Sequence, residues 1–487
     1  MRTMQALTLS AAFVHAQTER DNIHTAAEAL GGTERIQGIK TLVMEGHGKQ
    51  PNIGQNVTPD SPLPDWNVRE FKRTIDLVHG RMRVEQHRVA DFPFSMANDV
   101  RQNMVLDGAI AYNVDASGKA VRAPAAAVRD RRIDMLGNPI AIIRTALDPQ
   151  TKLSHLRTQR NRVLVDLTTI SGDDLTLALD TSTHLPASVS WMSFNDNLAD
   201  VVNEISFLDY EQVSGIKLPK RYVTRINFRN YTSADILVSK NTVDGDAGHL
   251  AAPESVKAAT PPTASPIVVE VVQVADGIWW LADAANHRCV LFEFSDHLTL
   301  YEPPATQDQA IAFLATARSI VPSKPLTEMI VSHHHFDHSG GLRTAVAQGL
   351  TIISHRGNEQ FFRELIARPA TLQPDQLAQH PMPLKFRGME DHLVLKDNSM
   401  EVDIYQVKDN VHAALNLMAY APRQRIFTQS DLYDAFWYRH LWADNYAKNL
   451  AMRKIDFAKD APVHGKIQTR AEELQTIEAT NRSAGVK

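Results

Sequence analysis

The chain has 487 residues, enough for two to four domains, each with its own core. At 43% hydrophobic and 22% charged it has the composition of a soluble globular protein, and a formal charge of -5 with a pI near 6.5 leaves no electrostatic footprint for nucleic acid. No stretch reaches the roughly 20 apolar residues that a membrane-spanning helix needs, and the single cysteine, Cys289, excludes an intrachain disulfide.

Residues 1–16 have the order of an export signal: Arg2, a weakly apolar core from Ala6 to Val14, then Val14-His15-Ala16 as a small-residue cleavage site before Gln17. Processing there would place the protein in the periplasm or outside the cell. The competing reading is the leading helix of a cytosolic protein. No cysteine follows the site to take a lipid, so a freely soluble exported protein is expected over an anchored one. Residues 19–38 read as one short helix, with Ala26, Ala27, Ala29 and Leu30 for packing and Gly31-Gly32 as its stop.

From about 40 to 245 the pattern is that of strands. Met82 and Val84 alternate with Arg81, Arg83 and Glu85, while Val163, Val165 and Leu167 lead through a turn at 171–174 to Leu175, Leu177 and Leu179. Tyr222, Thr224, Ile226 and Phe228 share one face, and Arg225, Asn227 and Arg229 the other. Strands at hairpin spacing with one apolar face predict a curved antiparallel sheet. A helical interruption over 132–147, carrying Ile133, Met135, Leu136, Ile140, Ile142 and Ile143, would plug its concave side. Through its strand order and the segment Val213-Ser214-Gly215-Ile216-Lys217-Leu218-Pro219-Lys220, this part loosely resembles the half-barrel of periplasmic lipoprotein carriers, which implies a lipid ligand. A purely structural β-domain is the alternative.

Residues 251–266 are rich in proline and alanine and read as a linker between an N-terminal β-rich domain (19–250) and a second domain (267–487). Beyond it, 268–274, 278–281, 290–294 and 298–301 read as strands. Gln307 to Ile320 reads as a helix that packs through Ile311, Leu314, Ala315 and Ile320. Leu326 to Val331 is then a buried strand that delivers Ser332-His333-His334-His335-Phe336-Asp337-His338-Ser339-Gly340-Gly341. Strands followed by alternating helix and strand predict an α+β architecture.

Four imidazoles and a carboxylate within six residues can converge only on irregular backbone, at the carboxyl end of a strand, where α/β folds usually bind ligands. Their chemistry suits zinc. His333 and His335 can face one ion, and Asp337 and His338 a second. Both ions would remain underfilled, which predicts distant donors on loops. Three are available: His412 after the strand 402–407, Asp431 after 425–428, and His464 after a helix-like segment through Ile455 and Phe457.

The set His333-x-His335-x-Asp337-His338, followed by His412, Asp431 and His464, resembles the metallo-β-lactamase superfamily of metal-dependent hydrolases over residues 267–487. The resemblance implies a four-layer αββα sandwich. It places His333, His335 and His412 on a first ion, Asp337, His338 and His464 on a second, and Asp431 between them. It implies two zinc ions, with iron or manganese as alternatives, that activate a bridging hydroxide, and an Asp337 that orients this water and carries a proton. Ser430 stands where the resembling enzymes commonly have glycine. An aspartate at the bridging position matches thioesterases of the glyoxalase II type, lactonases, and sulfatase or phosphodiesterase relatives better than β-lactam hydrolysing members. The expected reaction is therefore hydrolysis of a small-molecule ester, thioester or lactone. A phosphodiester or sulfate ester hydrolase is one alternative, and a non-catalytic lipid- or lipoprotein-binding protein another.

Around this core, Phe436-Trp437-Tyr438 and Trp442 would either wall an acyl pocket or pack a helix, and Tyr433 is a candidate donor to a developing oxyanion. The stretch from Arg368 to Pro383 reads as a lid or a passive surface loop. Cys289 reads as a buried inert thiol. His334 is expected to point away from the metals, and His287, His297, His355, His380, His392 and His440 to be surface or satisfied core residues.

Overall fold

The computed structural model describes residues 18–92, 99–285, 287–434 and 440–483. The export-signal stretch and the aromatic run 436–438 lie outside the described residues. At the start of the chain, Thr18 caps the helix Glu19–Leu30 reciprocally with Asp21. Gly31, at φ +143°, ends this helix where a Cβ would stand 2.6 Å from the carbonyl oxygen of Gly215. A second helix, Thr33–Gly38, then starts afresh, so the span 19–38 is two helices and not one.

Thirteen antiparallel strands form one sheet. Its two runs of consecutive hairpins meet where Thr41–Pro51 pairs with Thr232–Val243. The helical interruption is also two helices, Ala126–Leu136 and Pro139–Leu147, separated at Gly137. Asn138 caps the second by accepting from the Ile140 amide at 2.9 Å, and Pro139 occupies the first turn, where a missing N–H costs nothing. Ile140, Ile142 and Ile143 are fully buried against the strand residues Val165, Leu167, Leu175 and Leu177 and the helix residues Ile23 and Leu30. Each such side chain contributes about 1.5–3 kcal/mol of burial free energy. Within 251–266, residues Glu254–Ala258 form a short helix whose Val256 packs on Val105 and Tyr112.

Two further sheets follow, of seven and six strands. Along their strands alternate residues separate into different cores, as the two-residue period of a strand requires. Val290, Phe292, Ile330 and Ile353 of the seven-stranded sheet meet Val402, Ile404, Leu417, Ala419 and Ile426 of the six-stranded one. On the other side, Leu291, Leu300, Met329 and Ile352 pack under the helices Gln307–Ile320 and Glu359–Ile366. Met418, Tyr420 and Phe427 pack with Tyr446 and Leu450 of the helix His440–Arg453. The helix Gln307–Ile320 has the expected bounds, but its buried face is Ala310, Phe313, Leu314 and Ala317, with Ala315 exposed.

The N-terminal sheet is not separate from this arrangement. Phe228 meets the Phe361 ring edge-on at 5.7 Å, and Arg229 is paired with Glu364 at 2.7 Å. The stretch from Arg368 to Pro383 is neither lid nor passive loop at its start. Arg368 donates to the carbonyls of Leu198 and Asp200, and the Asp200 carboxylate accepts from the Thr371 amide and hydroxyl at 2.7 and 2.6 Å. A buried Arg343–Asp375 pair anchors its middle. These bonds make the segment a strap between the two halves.

Candidate metal centre

The strand Leu326–Ile330 runs parallel between Leu298–Tyr301 and Thr351–His355, inside the seven-stranded sheet. The chain leaves it through Ser332–His335 and turns into a single helical turn, Phe336–Ser339. That change of backbone lets His333 and His335 point one way while Asp337 and His338 reach sideways. Gly340 makes the turn possible, since a Cβ there would lie 1.6 Å from the Ala305 carbonyl oxygen. The distant residues arrive on loops as expected. His464 does so after the short strand Lys459–Asp460; Ile455 and Phe457 are buried residues beyond the end of the helix His440–Arg453, not part of a helix.

All seven residues come together in two groups: His333, His335, His412 and Asp431, and Asp337, His338, Asp431 and His464, with ligand atoms in each group within 4.8 Å of one another. Asp431 Oδ2 lies 2.7 Å from His412 Nε2, 3.0 Å from His338 Nε2 and 3.6 Å from His333 Nε2, while its Oδ1 lies 3.3 Å from His464 Nε2. His335 Nδ1 is 3.2 Å from His412 Nε2, and His338 Nε2 is 3.2 Å from His464 Nε2. Asp337 Oδ2 lies 3.4 Å from His338 Nε2. Asp431 adopts φ +58°, a sparsely populated backbone conformation of the kind that concentrates at functional sites.

The donor set fits divalent cations. His333 Nε2 is buried with no hydrogen-bond partner, a state that costs free energy unless a cation fills it. Burial, reinforced by neighbouring imidazoles, holds His333 and His335 far below the ordinary histidine range and keeps them in the neutral, ligating form. His338 moves the other way. Despite burial, Asp431 and Asp337 raise it, and in return His338 and His464 hold both carboxylates low against the opposing effect of burial.

Three of the imidazoles have a polar group behind the atom that faces the cluster, as metal-binding imidazoles usually do. His333 Nδ1 is 2.8 Å from Ser332 Oγ, and His335 Nε2 is 2.8 Å from the Asn56 carbonyl oxygen. Glu302 Oε1 is 3.5 Å from His338 Nδ1. Sequence reasoning missed Glu302. The available signal was a lone carboxylate at the end of Leu298–Tyr301, the strand beside the one that delivers the histidines. It is 1% exposed, sits at φ +80°, and accepts a 2.7 Å hydrogen bond from Ser430 Oγ. A glycine at 430 could not supply that bond. Gln55, which donates to Asp337 Oδ1 at 3.0 Å, was also missed, and at 282 residues' separation no local pattern marks it.

Other expectations change. His287 is not an unrelated surface residue, because its ring meets that of His464 at 5.2 Å, and burial together with His464 lowers its pKa to about 4. Tyr433 stacks on Tyr446 at 5.8 Å in the outer core, with its hydroxyl beside Thr476, so it does not serve an oxyanion. His334 turns toward Phe361, away from both groups. Cys289 is buried, and burial pushes its thiol pKa up. His297 pairs with Asp296, His392 pairs with Asp403, His355 accepts from the Gly357 amide, and His380 is exposed. The side chains of His440 and Trp442 lie outside the described residues.

No family model matches the chain. A linear primary-alkylsulfatase from Pseudomonas is 32% identical over 74 residues, which is 15% of this chain and 11% of that protein. The chain thus spans about a tenth of the curated relative it matches. Similar solved structures include a metallo-β-lactamase from Pontibacter korlensis, at 13% identity and TM-score 0.33, covering 43% of this chain and 98% of that one. A flavodiiron core from Synechocystis has 15% identity and TM-score 0.36, covering 45% and 61%. A stereoselective inverting sec-alkylsulfatase from Pseudomonas has 14% identity and TM-score 0.33, covering 44% and 41%. Among the described residues no helix is long and apolar enough to cross a membrane.

Proposed function

We propose that the protein is a metal-dependent hydrolase whose residues 267–487 form a four-layer αββα domain with a dinuclear zinc centre, iron and manganese being the alternative metals. The observation that carries this is the pair of ligand groups sharing Asp431. His333, His335 and His412 would hold one ion, Asp337, His338 and His464 the other, with Asp431 between. When bound, such a pair supplies Lewis acidity and water activation at neutral pH. Asp337 is the most accessible of the seven, with a side chain 38% exposed. It orients the attacking water and passes a proton toward the leaving group. The bond broken is a carboxyl ester, thioester or lactone, in the manner of the glyoxalase II branch.

A second reading, sulfate ester hydrolysis, is favoured by the local similarity to a linear primary-alkylsulfatase. Metal analysis of the purified protein, combined with a panel of chromogenic carboxyl, thio-, phosphate and sulfate esters, decides between them. Two equivalents of metal with turnover of carboxyl or thioesters alone supports the first reading, and turnover confined to sulfates supports the second. An absence of both metal and turnover rejects the hydrolase. The N-terminal domain (19–250), joined through 251–266, carries a cavity of about 360 Å³ lined by Phe71, Val84, Met104, Trp191 and Ile236 with Arg73 at its wall. We assign it a lipid ligand, which solvent extraction and mass spectrometry of the purified protein would detect. Export to the periplasm or medium is part of the same proposal, and N-terminal sequencing of mature protein checks it.

A further inference from the structure

The loop between the strands Thr41–Pro51 and Asp65–Asp76 belongs to the N-terminal sheet, yet it reaches both ligand groups. Gln55 Nε2 donates to Asp337 Oδ1 at 3.0 Å, and the Asn56 carbonyl accepts from His335 Nε2 at 2.8 Å. The flanking residues lock the pair in place. The Gly54 carbonyl accepts from the Phe336 amide at 3.3 Å, and the Val57 carbonyl accepts from the Ala414 amide at 2.8 Å, two residues past His412. Asn56 itself is 1% exposed and ties the loop closed by donating to the carbonyls of Pro59 and Ser61 at 3.1 Å each. Arg229, in the turn before Thr232–Val243, the strand paired with Thr41–Pro51, donates to Pro59 and pairs with Glu364.

These contacts have a chemical consequence. A neutral imidazole carries one proton, so a His335 that donates through Nε2 presents its lone pair at Nδ1, the atom 3.2 Å from His412 Nε2. A carboxylate held at Oδ1 by Gln55 is left with Oδ2 facing His338 and His464, at 3.4 and 3.9 Å. Two consecutive loop residues thereby orient one ligand of each group. We infer that loop 54–57 of the N-terminal sheet is an outer part of the metal centre, with Gln55 as a positioning residue for Asp337 and the Asn56 carbonyl setting the His335 tautomer. The inference rests on the dinuclear reading above and deepens it, because it makes the N-terminal sheet a component of the site.

The test uses the full chain and zinc alone, titrated in competition with a chromophoric chelator so that two dissociation constants are resolved. Gln55→Leu keeps the shape of the side chain but removes the donor. It should weaken zinc at the Asp337 group by about 10- to 100-fold while leaving the other constant within about threefold. Gly54→Ala places a Cβ 2.4 Å from the Phe336 ring and so displaces both residues, and it should weaken both constants. Wild-type protein that binds fewer than two ions overturns the dinuclear reading, and this inference with it. Wild type with two ions but a Gln55→Leu variant that binds both as tightly overturns the loop's role alone. Gln55→Leu decides the matter even if Gly54→Ala does not fold, and circular dichroism of the metal-free variants confirms their fold.

Discussion

At Asp337 and His464 the proposed chemistry can be removed at the two most exposed side chains of the seven, 38% and 12% exposed. Asp337→Ala and His464→Ala are each expected to lower turnover by about 10²- to 10⁴-fold on whichever substrate class the panel identifies, with far-ultraviolet circular dichroism unchanged. Wild-type turnover in both variants would reject the mechanism. Glu302 tests the support behind the ligands. Glu302→Gln keeps the volume and removes the charge facing His338, and zinc at the second position should weaken by roughly 10-fold or more, read by chelator competition. Gly340 tests the local fold. With Ala305 backbone in the way of any side chain, Gly340→Ala should lower stability by about 3 kcal/mol or more in urea unfolding.

At the scale of elements, the C-terminal helix Arg470–Ser483 is held to the strand Lys459–Asp460 by an acidic pair. Glu473, 0% exposed, accepts from Tyr446 Oη at 2.9 Å, and Asp460 accepts from Gln429 at 3.1 Å. Burial raises Glu473 from 4.5 to about 7, and burial with Glu473 raises Asp460. A carboxyl group raised on folding binds more protons in the native state than in the unfolded one. Its stabilisation is therefore complete below about 4.5 and is lost as pH rises through about 7. Unfolding free energy should fall across that window, and Glu473→Gln should flatten the dependence. A Glu473→Gln profile with the wild-type slope would show that this pair does not titrate as described. The strap from Arg368 makes a second prediction at this scale. Asp200→Ala removes three hydrogen bonds to Thr371 and Leu372, and should cost about 1–3 kcal/mol and raise protease susceptibility around residue 370.

For the molecule as a whole, the proposed metal binding would be linked to stability. An ion that binds only the folded chain adds about 2.7 kcal/mol at a free concentration 100 times its dissociation constant. Chelation should therefore lower Tm, and zinc should restore it in proportion to occupancy. The contacts of 54–57, Leu198, Asp200 and 228–229 with residues 267–487 place these effects across both halves of the chain, so one unfolding transition is expected, measured by calorimetry with and without chelator.

The sequence by itself named the candidate ligands and part of the element pattern. Period-two alternation marked several strands of the N-terminal sheet and apolar runs marked strands of the other two, Gly31-Gly32 marked one helix stop while the break at Gly137 was missed, and His333, His335, Asp337, His338, His412, Asp431 and His464 could be named because ligand chemistry restricts residue type and strand ends restrict position. Local pattern blurred where two faces compete, as on the helix Gln307–Ile320, where the buried face lies about one residue N-terminal to the expected one, through Ala310, Phe313, Leu314 and Ala317. Only the tertiary structure decided what stands behind the ligands. Glu302, Ser430, Gln55 and the Asn56 carbonyl are ordinary residues whose roles come from hydrogen bonds spanning up to 282 residues. Such contacts leave no period or spacing along the chain, since their geometry is set by how the sheets pack together.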